Sequence, residues 1–225
     1  MLGIIPKMGY FSSMNKTFYL YQYALWQETP AELLPDVSFI DPLQRRRMTD
    51  IEKIGLFLAH QITPPIKDYK VVFASRFGEW QQTLKLIKEF HSEKQMSPAG
   101  FSHSVHNAMP GLLSVLTALK NNYTTVSAQE KTIDNALVEV FTSLQPVLFI
   151  YAQEKAPHLY QTVLKDHFDA HGIAFFITPT FIPQAQKIEV MIEPSSDITS
   201  FQNLSAFLST DKKLQTHYLK IKKCD

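Results

Sequence analysis

One helix–strand pair constrains the fold of this chain more than any other feature. Ile133, Ala136, Leu137, Val140, Phe141 and Leu144 recur at i, i+3, i+4, i+7, i+8 and i+11, the periodicity of a helix with one apolar face. Gln145-Pro146 follow, and Val147–Tyr151 (VLFIY) is then apolar throughout. Such a strand has to be covered on both faces, so the sheet that holds it lies between layers of helix. The alternation extends along the chain. Thr17–Trp26 is an aromatic-rich strand and Tyr69–Ser75 (YKVVFAS) a compact buried one, with further strands at Thr124–Ala128, Gly172–Thr178 and Lys187–Ile192. Met48, Ile51, Ile54, Leu58 and Ile62 predict one helix over Leu43–Ile62, ended by Pro64-Pro65. Trp80, Leu84 and Ile87 trace a second helical face, Ser97–Gly100 a turn before a helix-length segment through Leu119, and Asp197–Leu208 a last helix. The reading is a single α/β domain over residues 1–225, with an N-terminal extension at 1–16 and a C-terminal tail at 209–225.

Composition narrows the function classes. An apolar share of 45% and a charged share of 19% belong to a globular protein with a real core. A net charge of +1 gives no argument for nucleic acid. The single cysteine, Cys224, excludes an intrachain disulfide framework and a cysteine-rich zinc site. No stretch approaches the ~18 apolar residues of a membrane span, and Met1–Ser13 is too weak for a signal peptide. The expected compartment is therefore the cytoplasm. GxGxxG, GxxxxGK and HExxH are all missing, so no cofactor and no metal is expected.

Several residues could carry chemistry or contacts. His103, His106 and Asn107 form the tightest imidazole–amide cluster, and on a helix the two histidines would share a face. No local carboxylate or cysteine joins them, which favours hydrogen-bonded or interface roles over metal ligation. Arg45, Arg46 and Arg47 are the densest positive run, read as a solvated helix end or as docking for an acidic protein. Three adjacent arginines cannot all face one way. Glu130 suits a helix N-terminus by its charge. Phe73, Phe77, Trp80, Phe175 and Phe176 are expected in the core, and Cys224 on an exposed charged tail.

Three segments in order carry a family likeness: Gln44–Met48 opening a helix, Phe73–Glu79 (FASRFGE) running from a strand into a glycine turn, and Ser97-Pro98 followed by Phe101–Gly111 (FSHSVHNAMPG). Together they resemble the β-ketoacyl synthase-like N-terminal domain, in particular the half-length chain-length factors of aryl polyene pathways, over most of Thr17 to Thr178. The resemblance implies the N-terminal half of a thiolase-like fold, a mixed sheet covered by helices. It implies that Ser97–Gly111 lies at a dimer interface, with His103, Ser104, Val105, His106, Asn107 and Met109 at the interface or walling the partner's acyl tunnel. Val105 and Met109 would then share one helical face.

Thr124–Ala128 would be the central strand that pairs across the dimer, and Gln129 or Glu130 would fall at the nucleophile position. A competing alignment puts that elbow at Ala108 or Met109; none of the four is a thiol. Condensation in the family needs a thiolate and two further polar residues, usually histidines, from the C-terminal half of a full synthase. The implied role is a non-catalytic partner of a full-length β-ketoacyl synthase that meets acyl carrier protein transiently. Two alternatives stay open: an atypical ketosynthase or acyltransferase using Glu130, Ser104 or Ser127, and a self-associating structural module.

Overall fold

A computed structural model describes residues 15–93, 95–161 and 169–224. The elements in order are β1 (Lys16–Gln27), α1 (Pro42–Arg45), α2 (Asp50–His60), β2 (Lys70–Ala74), α3 (Trp80–Glu93), α4 (Pro98–Ser102), α5 (Ala108–Thr117) and β3 (Tyr123–Val126). After a 3₁₀ turn come α6 (Thr132–Thr142), β4 (Val147–Gln153), α7 (His158–Gln161), β5 (His171–Thr178), β6 (Gln186–Ile192), α8 (Phe201–Ser209), β7 (Lys213–Gln215) and β8 (Leu219–Lys223). The strands make one sheet in the order β3-β2-β4-β5-β1-β6-β8-β7. β3, β2 and β4 are parallel, and every other neighbouring pair is antiparallel.

β4 is buried along its whole length, and it divides the core. Val147, Phe149 and Tyr151 point into the layer formed with α6 and α8, where Ile133, Leu137, Phe141, Leu204 and Phe207 pack. Leu148, Ile150 and Ala152 point the other way, toward α2 and α5 through Ile51, Ile54, Leu58 and Met109. β1 changes faces midway. Phe18 and Leu20 belong to the first layer, whereas Ala24 and Trp26 belong to the second. A register shift between Leu20 and Gln22 accounts for this, because one extra residue reverses a period-two pattern.

Several sequence expectations are corrected. The helix over Leu43–Ile62 is two helices, because the Thr49 side chain accepts from Glu52 N–H and Glu52 accepts from Thr49 N–H, a capping box that starts α2 afresh. The turn at Ser97–Gly100 is the first part of α4: Ser97 caps it and Pro98 opens it. A non-helical turn at 103–107 then separates α4 from α5. On α3 the buried residue is Leu86, while Ile87 is exposed.

The expected tail at 209–225 is structured over residues 209–224, and residue 225 lies outside the described residues. Leu214, Leu219 and Ile221 alternate with lysines and bury themselves against α8, so β7 and β8 close the sheet. Cys224 is half-buried beside β6, with its N–H donating to the Lys187 carbonyl at 2.9 Å. Of the expected extension at 1–16, Lys16 already belongs to β1, and residues 1–14 lie outside the described residues.

Two tight contacts seat α2. A Cβ on Gly172 of β5 would stand 2.5 Å from Leu58 Cδ1 and 2.8 Å from the Tyr151 carbonyl oxygen. A Cβ on Gly55 would meet Met109 Cγ at 2.7 Å, so α5 crosses α2 through this methionine. Met109 is wholly buried here, which corrects its expected place on a partner-facing wall.

Gly172→Ala is expected to lower stability by about 1–3 kcal/mol, since the backbone carbonyl in its way cannot move aside. Met109→Ala should cost about 2–5 kcal/mol through the cavity it leaves. Chemical denaturation of each variant measures both. A Met109→Ala protein as stable as the wild type would return that side chain to the surface.

Candidate functional site

The elbow after β3 is built by backbone geometry first. β3 runs parallel to β2 alone and ends at Val126. Ala128 stays extended in φ at −148°, and Gln129 then turns to φ +52° before the 3₁₀ turn Gln129–Lys131 leads into α6. A glutamine in the left-handed region costs on the order of 1–3 kcal/mol, so its surroundings must impose it. They do so through Thr132, whose hydroxyl donates to the Gln129 carbonyl at 2.7 Å and accepts from Ala128 N–H at 2.9 Å. Ser127 hydroxyl donates to the Arg76 carbonyl at 3.0 Å. Arg76 also pairs with Glu130 at 3.5 Å. The strained position therefore falls on Gln129, with Glu130 one residue beyond it; both are exposed.

Beside Gln129 lies a cavity of about 420 Å³ walled by Arg76, Tyr151, His171, Thr199 and Phe201. Burial pushes the Tyr151 hydroxyl up to about 12, against the opposing pull of Arg76. Burial also lowers His171, whose Nδ1 sits 2.7 Å from the Asp169 carbonyl oxygen. With Nδ1–H donating, Nε2 is left as an acceptor. Glu130 lines the cavity as well, so it offers a cation paired with a carboxylate, one neutral phenol and one neutral imidazole beside an amide. Gln129 can hydrogen-bond a guest but cannot take an acyl group.

Cys224 does not supply the missing thiol. It lies beside β6 and β8, six strand spacings from β3, roughly 29 Å across the sheet. Burial, reinforced by Glu189, also raises its thiol above the ordinary value. Ser104 donates its hydroxyl to the Phe101 carbonyl at 2.8 Å and Ser127 donates to Arg76. Among the described residues no imidazole is hydrogen-bonded to either serine.

The 103–107 turn brings some of the expected residues together and separates others. His103 closes α4, with Nδ1 2.7 Å from Glu52 Oε1. His106 instead stands edge-on to Phe73, both ring nitrogens are buried without a partner, and burial lowers its pKa. The shared helical face is lost because no helix runs through the pair. Val105 is exposed, and Asn107 Nδ2 donates to the Tyr123 hydroxyl at 3.3 Å. The turn and the free edge of β3 therefore form one surface, with Phe101 exposed nearby on α4.

Arg46 and Arg47 are exposed on the turn between α1 and α2, whereas Arg45 is half-buried with Nε unpartnered. Phe77 and Trp80, expected in the core, form a half-buried stack with Tyr160, at 4.4 Å and 5.6 Å between ring centroids.

The sequence reading missed a group of buried carboxylates under the turn. Glu52, Glu79 and Glu154 are all but wholly buried. They come from the first turn of α2, the bend after β2 and the residue after β4. Burial pushes Glu79 up to about 9, with the charges of Glu52, Glu154 and Asp50 adding to it and a hydrogen bond from Thr49 opposing. Burial likewise pushes Glu154 up to about 8, although Gln81 N–H donates to it at 2.9 Å. The Thr49-x-x-Glu52 spacing was a readable capping signal; nothing local marked Glu79 or Glu154 as buried.

The family model for the N-terminal domain of β-ketoacyl synthases matches residues 22–223. No curated protein matches the chain. Among solved structures, a chain of the complex of the ketosynthase ApeO with its chain length factor ApeC from Xenorhabdus doucetiae superposes with a TM-score of 0.71 at 16% identity. The match covers 92% of this chain and 99% of that one. The ishigamide ketosynthase/chain length factor gives a TM-score of 0.59 at 10% identity, over 78% of this chain and 65% of that one. The AntDE:AntF complex, a type II acyl-carrier protein with its ketosynthase, gives 0.60 at 13%, over 72% and 62%. These likenesses are of fold, and they identify the eight-stranded mixed sheet as thiolase-like. Among the described residues, no helix is long and apolar enough to cross a membrane.

The buried carboxylates set a pH dependence of stability. Glu79 titrates at about 9 in the folded protein and near 4.5 ordinarily, so the folded state holds a proton that the unfolded chain releases. Its contribution is complete below about pH 4.5 and is lost as pH climbs toward about 9. Glu79→Gln has no such proton to lose. Its melting temperature relative to wild type should rise steadily from about pH 5 to about pH 9. A difference independent of pH would mean that the carboxyl titrates normally.

Proposed function

The chain belongs to the family of the β-ketoacyl synthase N-terminal domain, and we propose that it serves there as a non-catalytic, chain-length-factor-like subunit. In this reading it pairs with a full-length β-ketoacyl synthase and shapes that enzyme's acyl tunnel in polyene or polyketide biosynthesis. The observation that carries the reading is Gln129. The elbow keeps a left-handed residue at the end of β3, where the family likeness puts a nucleophile, yet the side chain there is an amide. A strained backbone without a reactive group has lost acyl transfer and kept the shape of the elbow.

The two sheet edges support an obligate partner. β7 carries Lys213, opposite Lys222 of β8, and charged edges resist further strand pairing. β3 reads Tyr-Thr-Thr-Val with no charge. The carbonyls of Asn122 and Val126 accept from Val71 of β2 and from Ser75 just after it. By alternation, the N–H and C=O of Tyr123 and Thr125 face the open side. An antiparallel strand from the synthase is the fitting occupant, flanked by the exposed Val105 and Phe101. An obligate interface of this type buries more than ~2,000 Å². Arg46 and Arg47 are the proposed contact for an acidic carrier protein, by charge complementarity.

Co-expression with a full-length synthase tests the pairing. The chain alone should aggregate, and the pair should co-purify. Thr125→Pro removes only an outward N–H. It should leave the melting temperature nearly unchanged while abolishing co-purification; retention of the partner would rule out the β3 edge. Val105→Phe should shorten the carrier-bound products seen by mass spectrometry in an intact complex. An unchanged length distribution would remove Val105 from the tunnel wall. Incubation with acyl-carrier thioesters should leave the chain unlabelled, and a covalent acyl adduct would make it an enzyme instead.

A further inference from the structure

The turn proposed to meet the partner is itself held from beneath by groups that the elbow does not use. We propose that Glu52, Glu79 and Glu154 form a proton-operated latch, which keeps the 103–107 turn closed while Glu79 holds its proton and releases the turn when that proton is lost. The assembly consequence rests on the heterodimer reading above; the latch does not.

The geometry has three parts. The turn is fastened to α2 by the His103–Glu52 contact at 2.7 Å. It also covers the bend that carries Glu79: Gly78, at φ +58°, has His106 Nδ1 3.5 Å from where a Cβ would stand. Glu79 is 4% exposed, and its Oε2 has no hydrogen-bond partner. An unpartnered oxygen at that depth is tolerable on a neutral carboxyl and costly on an anion.

Of the groups facing Glu79, the Thr49 hydrogen bond favours the anion, and the charged ones oppose it. α2 presents Asp50 and Glu52 and the β4 end presents Glu154, all of which raise it by their charge. His106 above it is itself held toward neutrality by burial. The neighbouring cations are engaged elsewhere, Lys53 with Asp50 at 3.3 Å and Lys155 with Glu28. Once ionised, Glu79 would face the carboxylates of Asp50, Glu52 and Glu154, and among the described residues no cation is paired with it. Lifting the 103–107 turn, which packs on the bend through His106 against Gly78, would bring water to it.

Hydrogen–deuterium exchange on the whole chain, corrected for intrinsic rates, reads the latch directly. Peptides spanning 101–108 should lose protection by ~tenfold per pH unit between about pH 5 and about pH 9 and level off above that, as expected when one proton leaves with each opening. Peptides from α6 should keep theirs. Glu79→Gln should hold the turn protected throughout. His103→Gln should leave it unprotected at every pH, and this keeps the test decisive even if Glu79→Gln fails to fold. A wild-type turn with flat protection overturns the proposal, as does simultaneous loss across α6, which would be global unfolding. Co-purification with the synthase at about pH 7 and about pH 9 separates the two readings. Partner loss at the higher pH, prevented by Glu79→Gln, supports both. A working latch with partner binding indifferent to pH removes the turn from the interface and leaves the latch standing.

Discussion

β4 has no exposed face, and the remaining elements take their places from that constraint. Each of Val147, Leu148, Phe149 and Ile150 is essentially excluded from water, and burial of such side chains contributes about 1.5–3 kcal/mol apiece as an upper estimate. Those side chains alternate between two layers, so α6 with α8 must cover one face and α2 with α5 the other. The closeness of α2 at Gly172 follows from the same demand, because a helix laid over a fully buried strand has to approach its neighbour β5 as well. Parallel pairing with β2 then brings the strand ends of β2, β3 and β4 to one side of the sheet. The elbow, the small cavity and the buried carboxylates all lie at those ends.

The two features of greatest functional interest are departures from an unstrained, fully paired structure. Gln129 occupies a backbone region that suits glycine, and hydrogen bonds through Thr132 on both sides of it sustain the strain. Glu79 and Glu154 sit in a core that would be more stable with apolar residues in their places. Neither departure helps the chain to fold. Both lie at the C-terminal ends of the parallel strands β2, β3 and β4.

Several departures from the sequence expectations share one cause: a local pattern was extended through a break made by hydrogen bonds or by a change of layer. The stretch from Leu43 to Ile62 keeps helical spacing, yet the Thr49–Glu52 box restarts the backbone inside it. His103 and His106 stand three apart, yet the turn sends one to Glu52 and the other to Phe73. In the C-terminal hairpin the density of lysines hid a period-two pattern of Leu214, Leu219 and Ile221, which decides the matter because burial follows the alternate face.

Periodicity determined the layered α/β class, the positions of most strands and the helix that carries Ile133 to Phe141, although its apolar pattern ran on to Leu144, which lies exposed beyond the helix end. Residue identity alone showed that no thiol falls in the β3 segment. These are one-dimensional properties, since apolar spacing and residue identity are written directly along the chain. Only the tertiary structure decided that β3 is an edge and β4 the centre, that Met109 is core, that the strain falls on Gln129 and not on Glu130, and that three glutamates from three separate elements meet under one turn. Those outcomes depend on which segments become neighbours across the sheet. Strand order and long-range burial arise from packing the whole chain at once, and no local window of sequence contains them.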